Sequence, residues 1–259
     1  MDALDPQAIA ARLGLPRVLV EVTARCDSTN ARLLARAFRA ERTVLLAAEE
    51  QTAGRGRRGR RWRSAPGAGA TFSILRRMRC APAALAGLSL AVGVAAVRAL
   101  RALGVPAALK WPNDLLLAEA KLGGILVETR QQGREVVAVV GIGINCRSAP
   151  AFGARLRRRA VALDQIVQPA IERNALIGAV AREALAALEA FEREGLAAFA
   201  EDWSALHAHE GRRLRVRLAD GRVVSGIAAG LAQDGALRLR TRSGTREISG
   251  GRIVAASAA

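Results

Sequence analysis

The chain has 259 residues, with 40 Lys plus Arg against 23 Asp plus Glu and a formal net charge of +17. That length holds one or two domains with a full core, and the longest apolar region, residues 83–97, is broken by glycines and Ser89, so it reads as a buried helix and not a membrane span. No secretory leader is visible, and three scattered cysteines (Cys26, Cys80, Cys146) lie in no metal spacing, which fits a reduced, cytoplasmic setting.

Charge alone would admit a nucleic-acid-binding protein. However, only two of the 40 basic residues are lysines, Lys110 and Lys121. The chain is also rich in alanine and has no tyrosine. This skew looks like a coding bias that scatters arginines over exposed faces. It makes the two lysines stand out, because Arg and Lys differ in geometry and hydration. Residues 51–113 contain no Asp or Glu but eleven Arg and Lys110.

In chain order, residues 6–13 form a short helix and 17–23 an alternating strand. Asp27-Ser28-Thr29-Asn30 then precedes a helix whose apolar face is Leu33, Leu34, Ala37 and Phe38. The tetrad reads as an N-cap, and its hydroxyls and free N–H groups could also hold a polar ligand. Residues 43–49 form a second strand. Gln51 to Trp62 follows, with arginines at 55, 57, 58, 60 and 61 and glycines at 54, 56 and 59. Glycine gives this loop mobility and close backbone approach, and arginine gives it forks for carboxylate or phosphate. Three readings stay open for the loop alone: a small anionic ligand, nucleic acid, or solvated charge.

Residues 70–76 are a third strand, and 82–103 a long apolar helix ending at Gly104. A short strand over 107–110 runs into Trp111-Pro112-Asn113-Asp114. Residues 115–117, 125–129 and 136–144 are further strands, and 155–159 a solvated arginine loop. Helices are predicted over 171–193 and 196–206. After His209 come short strands at 213–218, 223–228, 236–240 and 246–248, joined by Asp-Gly and Ser-Gly turns. These read as a small β-barrel. Two domains are expected, 1–209 and 210–259. His207 and His209 are expected on the surface, and Cys146 as a small core residue.

Gly54-x-Gly56-x-x-Gly59 matches the dinucleotide fingerprint only formally. No helix follows it, and no acid occurs until Asp114. Lys110 to Asp114 reads either as a strand–turn–strand corner with Trp111 in the core or as a cation, an amide and a carboxylate converging at a strand end, which suits phosphate with Mg²⁺. Lys121-Leu-Gly-Gly-Ile-Leu-Val-Glu128 puts a lysine at the head of a strand whose glycines expose backbone. Gly141-Ile-Gly-Ile-Asn145 taken alone reads as a structural turn.

These four motifs, in this order and preceded by Asp27 to Asn30, closely resemble the biotin protein ligases of the type lacking an N-terminal DNA-binding domain. The resemblance covers nearly the whole chain. It implies an α+β fold: a mixed-sheet catalytic domain of the class II aminoacyl-tRNA-synthetase-like, biotin–lipoate ligase type, then a small SH3-like β-barrel. It implies ATP-dependent biotinylation of one lysine on a biotin carboxyl carrier protein through biotinoyl-5′-AMP, with biotin and ATP as substrates and Mg²⁺ as the metal. By resemblance, Ser28, Thr29, Asn30, Gln51, Gly54, Arg55, Gly56, Arg57 and Lys121 would hold biotin. Arg57, Arg58, Arg60, Trp62, Lys110, Asn113 and Asn145 would meet ATP or the adenylate. Lys121 and Arg57 would be catalytic, and Mg²⁺ would sit near Asn113 and Asp114. No specific nucleic acid and no membrane are expected as partners, and a homodimer is left open. The rivals are a lipoate or octanoate ligase of the same fold, and a non-enzymatic nucleic-acid-binding protein.

Overall fold

The computed structural model describes residues 3–63, 65–148 and 160–258. The arginine run expected as a loop at 155–159 lies outside the described residues. The N-terminal part holds α1 (Pro6–Leu13), β1 (Leu19–Cys26), α2 (Thr29–Ala35), β2 (Val44–Gln51), β3 (Gly69–Met78) and α3 (Leu88–Ala102). It continues with β4 (Ala108–Lys110), β5 (Asp114–Leu117), β6 (Ala120–Gln132), β7 (Glu135–Asn145), α4 (Arg173–Glu194) and α5 (Ala200–Leu206). Its sheet has the order β1-β2-β3-β7-β6-β5-β4, with β1 parallel to β2 and every other pair antiparallel. The C-terminal part is β8 (Arg213–Arg217), β9 (Val223–Leu231), β10 (Leu237–Thr241), β11 (Gly244–Ile248) and β12 (Arg252–Ser257), in an antiparallel sheet of order β11-β10-β9-β8-β12. The last strand, with Ile253 buried, is one the hairpin signals did not announce.

The main sheet is covered on both faces. One face packs against α1, α3 and α4, and eleven of the fifteen residues of α3 are buried there. The segment Pro82–Ala102 is apolar and long enough to cross a membrane by composition, but it is the core helix here. It is not continuous, as the sequence had suggested. A 3₁₀ turn over Pro82–Leu85 ends at Gly87, which takes φ +81 and starts α3. A Cβ there would lie 2.6 Å from the Leu196 side chain, so both the left-handed backbone and the packing require glycine. The Arg173 guanidinium at the start of α4 is 1% exposed and forks onto Glu49 of β2 at 2.7 and 3.1 Å. Glu49 also accepts from the Leu4 N–H, so one ion pair ties the N-terminus, β2 and α4 together.

The other face of the sheet carries α2. Leu33, Leu34 and Ala37 pack on Val44, Leu46, Leu75, Val137 and Val139. This smaller core ends where α2 begins, and the site starts there.

Candidate active site

Side chains alternate across a strand, so the face under α2 can be followed along the register. On β3 and β7, Leu75 opposes Val139, then Ser73 opposes Gly141, then Thr71 opposes Gly143. On β6 the same face shows Glu128, Leu126 and Gly124 opposite Val139, Gly141 and Gly143. The face therefore changes from apolar to polar and glycine-lined one residue pair beyond the α2 core. The glycines of Gly141-Ile-Gly-Ile-Asn145 lie inside β7 and do not form a turn. A Cβ on Gly141 would stand 2.3 Å from Asn30 Oδ1, and one on Gly143 would stand 2.5 Å from the Trp62 indole. Both glycines clear space for side chains lying flat on the sheet.

Ser28 caps α2, its Oγ accepting from the Ala31 N–H. Behind it runs a buried polar chain. Thr29 donates from its N–H to Gln51 Oε1 at 2.7 Å, and Thr29 Oγ1 lies 2.6 Å from Ser73 Oγ. Ser73 donates to Asn30 Oδ1 at 2.6 Å, and Asn30 Nδ2 donates to Glu128 Oε2 at 2.9 Å. Glu128 then pairs with Arg55 at 3.0 Å. Ser28, Thr29, Asn30, Gln51 and Ser73 are all buried. Buried polar groups in such numbers need partners and fix one another's orientation. Sequence reasoning missed Thr71, Ser73 and the role of Glu128. The available signal was Thr-Phe-Ser-Ile, where every second residue of a strand is polar.

The loop from Gln51 to Trp62 is a folded hairpin. Arg55 bridges Arg61, Gly56 N–H donates to Arg60 O at 2.7 Å, and Trp62 N–H donates to Gly54 O at 2.8 Å. Arg58 at its tip takes φ 56, followed by Gly59 at φ 70. Gly54 does not line the cavity, although it had been grouped with the ligand contacts. It closes the base of the hairpin, where a Cβ would meet the Trp62 carbonyl at 2.5 Å. Trp62 lies over Gly143, and its buried Nε1 finds no acceptor among the described residues. Burial, with Arg58 beside it, presses the Arg57 guanidinium below its usual pKa; Asp114 works the other way.

The two lysines stand on the far wall. The register of β5 on β6 shifts between Leu115 and Leu116, leaving Leu122 as an extra residue. Such bulges re-aim neighbouring side chains. Lys121 Nζ is paired with Asp114 Oδ1. Gly124 leaves room for that ammonium, which would lie 3.4 Å from a Cβ there. Asn113 donates through Nδ2 to Ile125 O at 2.7 Å, and its backbone carbonyl accepts from the Ile125 N–H at 3.0 Å. Asn145 at the end of β7 donates to Val161 O at 3.1 Å. Lys110 ends β4, and next to it Trp111 is buried and donates from Nε1 to Gly235 O of the C-terminal part at 3.2 Å.

These elements surround a cavity of about 470 Å³, within the range of small-ligand sites. Of the predicted site residues every one but Gly54 lines it. Nine cations line it against one carboxylate, Asp114, over a floor that includes Leu126, Gly141 and Gly143, with the Trp62 indole lying on it. The C-terminal sheet also contributes, through Gly251, Arg252 and Ile253, and Arg58 Nη2 would lie 3.2 Å from a Cβ on Gly250. The arrangement suits a ligand with an apolar body, hydrogen-bonding groups at one end and a polyanion at the other. Among the described residues no three His, Cys, Asp or Glu side chains cluster. That donor set fits a Mg²⁺ carried by nucleotide phosphates, with Asp114 or Asn113 adding a ligand, and does not fit a resident ion.

His207 and His209 are not surface residues: they are 5% and 3% exposed. Their segment is the seam between the two sheets. Leu109 of β4 bridges His207, Ala208 N–H donates to Leu109 O at 2.9 Å, and Trp203 stacks on His207 at 4.3 Å. Burial lowers the pKa of both rings. His209 is pushed down to about 4, burial acting first, then His207 and Lys110. His207 is lowered by burial against the opposing pull of Glu210.

Comparison with known proteins gives two family matches: the biotin/lipoate A/B protein ligase family over residues 22–145, and the biotin protein ligase C-terminal domain over 209–254. The bifunctional ligase/repressor BirA of Escherichia coli is 38% identical over 234 residues, which are 90% of this chain and 72% of that protein. The biotin–[acetyl-CoA-carboxylase] ligase of Mycobacterium tuberculosis is 36% identical, over 97% of this chain and 94% of that one. Among solved structures, the Aquifex aeolicus biotin protein ligase in complex with biotin and ATP superposes with a TM-score of 0.74 at 28% identity, covering 95% of this chain and all of that one.

Proposed function

This chain belongs to the biotin/lipoate A/B protein ligase family and has biotin protein ligase activity, and from that premise we propose how its own residues divide the work. The observation that carries the proposal is the shared wall of the cavity: the buried polar chain at α2, the arginine hairpin and both lysines open onto one space. Biotin's ureido ring is met by Ser28, Thr29, Asn30 and Gln51. Its apolar rings and chain lie along the floor, and its carboxylate reaches Lys121. ATP enters from the side of Lys110, Asn113 and Asn145, with its adenine toward Trp62.

In the first step a biotin carboxylate oxygen attacks the α-phosphorus, and pyrophosphate leaves. Two anions must be brought together, so positioning and cationic stabilisation are what the protein supplies. Lys121 stands between carboxylate and α-phosphate, and a compact ammonium can follow charge from one to the other. Mg²⁺ bound to the phosphates would neutralise the leaving pyrophosphate, with Asn113 and Asp114 as its nearest protein ligands. Arg57 and Arg58 cover the mixed anhydride and exclude water. In the second step the amine of a carrier lysine attacks the biotinoyl carbonyl and AMP leaves. The nucleophile belongs to the carrier, so Cys146, buried beside Asn145, has no part in it.

The test incubates the protein with a biotin carboxyl carrier domain, Mg·ATP and either biotin or lipoate, and reads the carrier by mass spectrometry. A biotinoyl adduct on one lysine is expected. A lipoyl adduct in place of the biotinoyl one would overturn the proposed contacts of the ureido ring.

A further inference from the structure

The register of the C-terminal sheet gathers arginines on one face. Arg213, Arg215 and Arg217 alternate with buried Leu214 and Val216 along β8. On the same face Arg252 of β12 opposes Arg217, and Arg240 of β10 lies across Ile227 from Arg213. Cross-strand neighbours are ~5 Å apart and alternate residues ~7 Å, so Arg252, Arg217, Arg215 and Arg213 form one continuous row, with Arg240 about 10 Å beyond Arg213 on the same face. None of the five makes an ion pair or side-chain hydrogen bond among the described residues. Other arginines of this region do, including Arg212 with Glu119 and Arg222 with Asp220. Across all five strands the one carboxylate is Glu247, and Arg238 already holds it.

Composition alone would scatter arginines, but strand alternation together with cross-strand register has placed these on one side without counter-charges. The patch also has a direction. Arg252 lines the cavity, and Arg217, Arg215 and Arg213 lead away from it along the next strand. Between them stand small or apolar side chains: Ala255, Ser225, Ile227 and Val223, the last 39% exposed. No aromatic ring lies on this face to stack a base. The footing is that of a protein surface with carboxylates for the arginine forks.

We propose that this face of β8 and β12 docks a carrier domain through an acidic surface, holding it so that its lysine enters the cavity past Arg252. The inference rests on the reading of the cavity given above, in which a carrier lysine must reach the site. Steering by such a patch acts mainly on capture of the carrier and is screened by salt.

The test compares the wild-type protein with the triple variant Arg213→Ser, Arg215→Ser, Arg217→Ser, none of which lines the cavity. The carrier probe is the biotin carboxyl carrier domain of an acetyl-CoA carboxylase. Biotin-dependent ATP–pyrophosphate exchange should stay within about twofold of wild type. The KM for the carrier domain should rise at least tenfold at low salt, and its salt dependence should flatten. Arg215→Glu alone, at the centre of the row, should raise that KM too if the triple variant folds poorly. An unchanged carrier KM would overturn the proposal. So would a loss confined to binding of a random-sequence DNA duplex, which would assign the face to nucleic acid. Exchange reports on the cavity alone, so a misread cavity shows as missing wild-type exchange and a misread face as an unaltered KM.

Discussion

Lys121 is held by Asp114 across the end of β5, while Gly124 leaves open the volume its ammonium occupies. The pair aims the lysine along the cavity wall, where a carboxylate and a phosphate would meet. Lys121→Ala should lower adenylate formation by about 10²–10³-fold, the usual cost of one transition-state charge partner, with a melting temperature within a few degrees of wild type. Lys121→Arg should not restore the rate, because a planar fork cannot take the place of a point charge. Rapid-quench measurement of biotinoyl-AMP checks both; a wild-type rate in Lys121→Ala would remove Lys121 from the chemistry, and one in Lys121→Arg would show that any cation serves there. The two lysines were legible in the sequence because the composition is otherwise all arginine. Ser73 and Glu128 were not legible as site residues. Each is one polar residue in a strand, and its meaning comes from the register that sets Ser73 opposite Gly141 and brings Glu128 to both Asn30 and Arg55.

The hairpin from Gln51 to Trp62, proposed above to cover the mixed anhydride, has two fastenings, the Arg55–Glu128 pair at its base and Trp62 lying on Gly143. Arg57→Ala should leave adenylate formation measurable and let biotinoyl-AMP escape at least tenfold faster, seen as free adenylate in a filter-retention assay. Glu128→Gln keeps an acceptor for Asn30 and removes the charge facing Arg55. It should therefore loosen adenylate retention by several-fold while changing biotin affinity less, and an unchanged dissociation rate would show that the fastening is idle. Helices and strands were readable from apolar spacing and turn residues. The lid's folded form was not, because its arginines and glycines say only that it is mobile and basic. Its shape comes from contacts with β7 and β6, more than 60 residues away in sequence. The break in the apolar segment at Gly87 was likewise hidden, since periodicity continues through a residue whose role is a left-handed turn against Leu196.

At the scale of the molecule, two sheets meet at a seam built from His207, His209, Trp203 and the Trp111–Gly235 hydrogen bond, and the cavity draws residues from both sides. The seam explains why the histidines were misjudged: burial at a junction leaves no periodic trace. It also gives a pH dependence. In the unfolded chain both histidines titrate near 6.5, whereas in the fold His209 lies at about 4 and His207 is lowered. As pH falls through 6.5 the unfolded state takes up protons first. The contribution of His209 is therefore complete above about 6.5 and falls toward about pH 4, by up to ~1.4 kcal/mol per pH unit, and His207 adds to the loss in the same direction. Thermal melts from pH 7.5 to 4.5 should show this loss, and His209→Gln should make it shallower; parallel curves would contradict it. The α+β architecture and the ligase activity were legible because several motifs occur in order, each with its own chemistry. The net charge of +17 was ambiguous until the strands divided it between a cavity wall and an outer face. The most direct test of the whole account is ATP–pyrophosphate exchange in the wild-type protein and in Lys121→Ala. Exchange should require biotin, ignore lipoate and disappear in the variant; exchange driven by lipoate, or undiminished without the lysine, would contradict it.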